Sequence, residues 1–595
     1  NSEFDKVPDL NAILPQVEVM VGDGDSVFFG TEEFRHANEL NVATDNIFLE
    51  GNWFLGNHNL TFGFDWREQD IRNLFISQAL GLYEFDSIDD FANGIHSRYE
   101  YNRGTNEPRP EANWSWENLG LFIGDNWMVT DRLTVQYGFR YDKPDAGSKP
   151  RFNQDFFDAY GFANNNVVSE GTFQPRIGFN YNMSEERDLQ LRGGVGVFTG
   201  GTPNVWLSNS FTNTGGDLTF YSSNGIEDGM LFTLDPNNQP ILDGSSRQNV
   251  DVLDPDFKIP TVLKSNLAVD AELPWYGLIG SLELEYIKAQ DAIDYQHLNL
   301  GDPTGTLPDG RLVYWEDPAN LSGSRANANS DFNDVIYLTN TSKGDTKRAT
   351  VSLELPQTEH WYAKASYTYT DASESSAGTS SRAISNWNNT PAFNPNQAMA
   401  ATSAYEIENA FVFVTNYRNM FFGDNYTNIG LVWVSQDGEP FSHTYSNDVN
   451  GDGIRDNDLV YVPMPNEYVL ADPSEAAEFE AFLQSSGLAQ YRGQVAPRNA
   501  FKAPRINTVD LNVSQELPAW GPVRATLFFN IKNLGNMIDS DWGQIITAGF
   551  DGNDVYRLNS LEDGIYELDW NGPTRFSTNR FASQWRAQVG FRLDW

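Results

Sequence analysis

The chain has 595 residues, no cysteine, and 82 acidic against 39 basic residues, for a net charge of −43. Without cysteine there is no disulfide framework, thiolate metal site or cysteine nucleophile. The acidity disfavours nucleic acid as a partner, and an aromatic content of 14% is far too high for a solvated, disordered acidic chain.

No segment reaches the roughly 20 apolar residues that a membrane helix needs. Entry into a bilayer therefore requires a closed barrel, because only helices and barrels satisfy every backbone group in lipid. The chain opens at Asn1 with no Met, charged n-region or apolar stretch, so no signal peptide is read and a mature or cut form is expected.

Along the chain the dominant pattern is apolar–polar alternation with period two, the mark of strands. After a first tight turn at Gly56-Asn57-His58, residues Leu133, Val135, Tyr137, Phe139 and Tyr141 form one face of a strand. Arg132, Thr134, Gln136 and Arg140 form the other. Further on, Leu278, Leu282, Leu284 and Tyr286 oppose Ser281, Glu283 and Glu285.

The sharpest local motif follows at Asp448-Val-Asn450-Gly-Asp452-Gly453-Ile454-Arg-Asp456. Side-chain oxygens fall at alternate positions, a glycine permits the sharp turn, and the next carbonyl, that of Ile454, can turn inward. A calcium loop is built this way. The expected ligands are Asp448, Asn450, Asp452, Ile454 and Asp456. Leu459 stands where an EF-hand carries its bidentate Glu, and Asp458 is one residue early, so a structural Ca²⁺ of extracellular-type affinity is expected. The plain alternative is an acidic, metal-free turn.

Two more alternating strands close the chain. Val523, Ala525, Leu527, Phe529 and Ile531 oppose Arg524, Thr526, Asn530 and Lys532. At the end Trp585, Ala587, Val589, Phe591, Leu593 and Trp595 share one face. A terminal aromatic residue on an amphipathic strand resembles the signal by which outer-membrane barrels are recognised for assembly.

Connection length separates a membrane barrel from a soluble sandwich. Short turns at Gly56, Val129–Arg132, Met183–Glu186, Leu273–Gly277, Leu355–Thr358, Asn419–Asp424 and Leu517–Gly521 alternate with long polar stretches, among them 200–260 and 437–503. Transmembrane barrels alternate short periplasmic turns with long extracellular loops, and the count here is about fifteen strands of roughly 9–11 residues each. That number is odd and the last strand descends to the periplasm. Residues 1–42 are therefore expected in an extracellular loop and 43–595 in an all-β, antiparallel transmembrane barrel, whose 437–503 loop carries the calcium-type motif. Trp275, Tyr276, Trp361, Tyr362 and Trp520 fit an aromatic girdle near the turns.

Enzyme motifs are missing: there is no G-x-S-x-G, H-E-x-x-H or P-loop, and the six histidines include no i,i+4 pair. The protein is read as a non-enzyme.

Several segments resemble the barrel of Oar-like TonB-dependent receptors. They are Phe28-Phe29-Gly-Thr-Glu-Glu-Phe-Arg35-His36, His58-Asn-Leu-Thr-Phe62-Gly63, Glu272-Leu-Pro-Trp275, Pro308-Asp309-Gly310, Asp458-Leu-Val-Tyr461-Val-Pro463 and Asn533-Leu-Gly-Asn536, together with the C-terminal strand. The resemblance implies a barrel of about 22 strands closed by a plug, energised by the TonB complex through a segment before that plug. It also implies the outer membrane as location, its lipid as surroundings, and a ligand captured by the acidic loops. Plug, TonB-contact segment and early strands are not visible in this sequence. Arg132, Arg140, Glu283, Glu285, Arg524 and Lys532, opposite the apolar stripe, are the lumen-facing candidates. A second reading is a surface interaction barrel, an adhesin or a docking platform for a lipoprotein or other outer-membrane partner. A third is a secreted β-rich hydrolase, which the one-sided long loops disfavour.

Overall fold

The computed structural model describes residues 13–22, 25–105, 110–183, 188–216, 218–225, 231–242, 247–549 and 553–595. The alternating segments become strands because β-branched and aromatic residues at every second position pack on one face of a pleated ribbon. In chain order the long strands begin with β1 (Ala37–Leu55), β2 (His58–Ile76), β3 (Ala112–Thr130), β4 (Leu133–Ala146) and β5 (Thr172–Asn182). Next come β6 (Leu189–Thr199), β7 (Thr261–Glu272), β8 (Ile279–Ala289), β9 (Gly344–Leu355) and β10 (Trp361–Glu374). The last five are β11 (Asn409–Phe422), β12 (Asn425–Gln436), β13 (Ile506–Trp520), β14 (Val523–Lys532) and β15 (Arg586–Asp594). Each pairs antiparallel with the next in one continuous meander of fifteen strands. Among the described residues β1 and β15 do not pair with each other, so the sheet is open.

Register keeps the two faces distinct across the meander. Leu267 sits opposite Leu284 and Leu284 opposite Ala349, while the neighbouring row joins Arg192, Ala268 and Glu283. Short turns stand at one end, as at Gly56-Asn57, where Gly56 has the φ of +60° that a two-residue hairpin needs. Residues 184–187 of the β5–β6 turn lie outside the described residues. Trp275, Tyr276 and Trp361 are exposed at this end; the Trp520 side chain lies outside the described residues.

Two features depart from the sequence reading. β1 begins at Ala37, before the boundary near 43, because Ala37–Val42 pair with Ile71–Ile76. β1, β2 and β3 are also 19 residues each, well beyond the roughly 9–11 that cross a bilayer. The far halves of β1 and β2 carry Glu39, Asn41, Arg67, Asp70, Arg72 and Asn73, whose polarity hides a ladder that backbone hydrogen bonding nonetheless continues, while that of β3 sets the buried Trp114 and Trp116 against Asn113, Ser115 and Glu117.

The apolar core lies in the long connections. Leu307 and Val313, Phe441, Tyr445, Val460, Phe479 and Leu483, and Tyr556 and Leu568 form one buried cluster drawn from three separate connections. Short strands Gln16–Gly22, Asp25–Phe29, Leu82–Phe85, Arg98–Gly104 and Leu218–Ser223 make a five-stranded sheet of their own. The long connections thus pack into a canopy at one end of the meander.

Candidate functional site

The Asp448–Asp458 segment folds back on itself through its own side chains. Asp448 Oδ1 accepts from the Gly451 N–H at 2.6 Å and Oδ2 from that of Gly453 at 2.8 Å. Asn450 Oδ1 accepts from the Asp452 N–H at 2.7 Å, and Asp452 Oδ1 from that of Ile454 at 2.9 Å. Gly453 sits at φ +94°, the sharp bend that its place in the motif predicts. The Asp458 carboxylate closes the knot by accepting from the Val449 and Asn450 N–H groups at 2.8 and 3.2 Å.

Arg311 pins this knot to a distant connection. Its guanidinium is fully buried and donates to Asp458 Oδ1 at 2.6 Å, to the Leu459 carbonyl, and to Asp309 Oδ2 at 3.4 Å. The Tyr445 ring lies 5.5 Å from it. Burial raises the carboxyl of Asp458 while Arg311 pulls it down. Asp448 is pushed up to about 7 by burial and by Asp458. The carboxyl of Asp452 is driven well above its ordinary value by burial, then by Asp458 and Asp448. Of the three carboxyls gathered here, Arg311 pairs directly with that of Asp458, while the Arg325 guanidinium donates to the Asp452 carbonyl at 2.8 Å.

Of the expected ligands, Asp448, Asn450 and Asp452 come together in the knot. Ile454 lies beside them through its N–H, and Asp456 occupies a left-handed turn position at φ +62°. Asn457 reaches Asp452 with its side-chain amide at 3.1 Å. Among the described residues no group of three or more His, Cys, Asp or Glu is placed to hold a metal ion. The donor chemistry suits a hard cation, but the Asp448 and Asp452 oxygens already accept main-chain N–H groups. Sequence reasoning missed Arg311 and gave Asp458 no partner. Pro308-Asp309-Gly310-Arg311 reads only as a turn, and nothing local says that its cation meets residue 458.

The polar face of the sheet carries ion pairs that step across strands. Arg140 on β4 bonds Asp142 at 2.6 Å and reaches Asp65 on β2 at 2.5 Å. It passes over Gly120 of the intervening β3, where any side chain would collide with the guanidinium. Arg192 on β6 bonds Asp270 at 3.0 Å and passes Ala268 to Glu283 on β8 at 3.1 Å. Glu285 takes Arg348 at 2.8 Å and also Lys264. Arg140, Arg176, Lys264, Glu283 and Glu285 line one cleft of about 790 Å³. The other three lumen candidates lie elsewhere. Arg132 sits in the β3–β4 turn, Arg524 pairs in register with Asp594, and Lys532 bonds Asp510 at 2.6 Å at the far end of β14.

A family model described as an outer membrane beta barrel domain matches residues 5–544. No curated protein matches the sequence. Among solved structures the chain is similar to the outer membrane transporter YddB from Escherichia coli, with 12% identity over 98% of this chain and 58% of that one, at a TM-score of 0.49. It is also similar to the siderophore receptor PirA from Acinetobacter baumannii, with 13% identity over 98% of this chain and 58% of that one, at a TM-score of 0.44. The chain spans somewhat over half the length of these structures.

Proposed function

The chain belongs to the outer membrane beta barrel domain family and lies in the outer membrane, and from that premise we propose that it is the barrel portion of an Oar-like TonB-dependent transporter. The observation that carries this reading is the division of labour in the sheet. One face is apolar, the other bears stepped ion pairs around a cleft, and every long connection gathers at one end. A lipid-facing surface must be apolar, whereas a wet passage tolerates half-exposed charges that cost little because water still reaches them. The canopy is the extracellular side in this reading, and its acidic loops make first contact with the ligand. The remaining strands, the plug and the TonB-contact segment belong to other parts of the whole receptor.

The Asp448–Asp456 loop serves in this scheme as a strut stiffened by Ca²⁺. Oxygens of Asp448, Asn450, Asp452, Ile454 and Asp456 would hold the ion, which would favour the ionised form of carboxyls that burial pushes up. The transport reading is tested with the intact protein, extracted from outer membranes and offered to the purified periplasmic domain of TonB. Specific capture is expected. Failure to bind that domain would overturn active transport and leave a surface docking barrel.

A further inference from the structure

A second cavity adjoins the cleft in the sheet, where the polar face meets the canopy. It encloses about 420 Å³ and is lined by Phe48, Arg67, Asn118, Arg140, Arg176 and Gly201, among others. Arg140 and Arg176 line both cavities. Three guanidinium groups thus border one space in a chain whose net charge is −43.

The carboxylates in this lining are already answered. Asp142 accepts from Arg140 Nε at 2.7 Å and Nη2 at 2.6 Å, from the Asn118 amide at 3.0 Å, and from Gln174. Asp65 takes the remaining arm of Arg140 at 2.5 Å. Arg67 and Arg176 differ: among the described residues neither makes an ion pair. Register gives the reason. The cross-strand neighbours of Arg67 are Asn46 on β1 and Asn118 on β3. Those of Arg176 are Gly138 on β4 and Gly196 on β6, so no acidic side chain stands directly opposite either one. Arg176 rests on the Phe198 ring, 4.5 Å from its centroid, and donates to Gln174 Oε1 at 2.9 Å. Both arginines are exposed, so a guest reaches them without displacing a wall. A guanidinium presents its N–H donors in a planar fork that fits carboxylate and phosphate oxygens in pairs, and a cleft with an excess of one charge draws the opposite one.

We propose that this cavity binds an anionic group of the transported ligand, a carboxylate or a phosphate, on the free guanidinium forks of Arg67 and Arg176. At physiological salt the field of the acidic loops is screened within about 8 Å, so it does not bar an anionic group carried into the lumen on a larger ligand. The proposal rests on the transport reading for its purpose. Binding at equilibrium needs no TonB, however, so failure of TonB capture and failure of this site are told apart.

The test uses the intact protein in detergent and ¹⁹F NMR titration with 4-fluorobenzoate, 4-fluorophenyl phosphate and the neutral 4-fluorobenzamide. Saturable binding of one of the anions is expected, roughly ten-fold tighter than that of the amide and weakening as salt is raised. The better anion assigns the group as carboxylate or phosphate. Arg176→Gln should lower its affinity roughly five-fold, and Arg67→Gln combined with Arg176→Gln should abolish the preference over the amide. Arg176→Lys, which keeps the charge and loses the fork, should retain part of it. Neither arginine holds a protein carboxylate, so the variants should assemble like the parent, which heat-modifiable mobility on unboiled gels checks. Absence of saturable binding, equal binding of anions and amide, or a preference that survives the double substitution would overturn the proposal.

Discussion

Replacing Arg311 with Met tests whether the canopy hangs on a single buried cation. The guanidinium is wholly buried, and its partners Asp458 and Asp309 have side chains 0% and 1% exposed. Removing one member of a buried pair costs about 3–5 kcal/mol, because the other charge is left without compensation. Asp458 keeps the Val449 and Asn450 N–H groups, which places the expected loss near the lower bound, at about 3 kcal/mol. At about 1.4 kcal/mol per decade, amide exchange across 437–505 and 305–317 should accelerate roughly a hundred-fold. The measurement is hydrogen–deuterium exchange on the intact protein in detergent, read by peptide mass. Arg311→Met combined with Asp458→Asn and Asp309→Asn removes all three charges and should recover much of the protection, since matched apolar or neutral replacements of buried pairs are often near neutral. An acceleration below about three-fold, or a triple variant no better than Arg311→Met alone, would refute the reasoning.

Three further outcomes follow from specific contacts. Gly138→Ala should lower the yield of assembled, heat-modifiable barrel on unboiled gels, because the new Cβ would stand 2.5 Å from the Ile123 carbonyl and 2.7 Å from Gly124 Cα. Gly178→Ala, whose nearest neighbour would be 3.4 Å away, should assemble normally, and equal behaviour of the two would count against the register described. Asp452→Ala should make the 437–505 connection more protease-sensitive than the parent in calcium, with the difference shrinking in chelator; identical cleavage in all four conditions would eliminate the metal strut. His36 accepts the Leu80 N–H at Nδ1 and faces the Thr31 carbonyl with Nε2, and burial lowers its pKa to about 4. Its neutral form stabilises the fold fully above about pH 6.5, and that contribution falls by about 1.4 kcal/mol per pH unit between 6.5 and 4. Proteolysis near residues 77–82 should therefore rise on going from pH 7.5 to 5 in the parent and not in His36→Gln; an acid response that survives the substitution would exclude His36 as its source.

The alternation Leu133, Val135, Tyr137, Phe139, Tyr141 was sufficient to place β4 and to separate its two faces, because strand period is a local property. Connection lengths likewise revealed the meander and its one-sided long loops, since a hairpin turn is written in two to six adjacent residues. The knot was partly legible for the same reason: Asp448, Asn450 and Asp452 accept from N–H groups within five residues of themselves, that of Gly453 among them. The upper halves of β1 and β2 were not, because polar residues there reveal nothing about which neighbour they pair with. Nor could the sequence by itself bring Arg311 to Asp458 or Arg140 past Gly120 to Asp65. Those contacts join residues far apart in the chain or on separate strands, and only the packing of the canopy and the register of the sheet decide which distant groups meet.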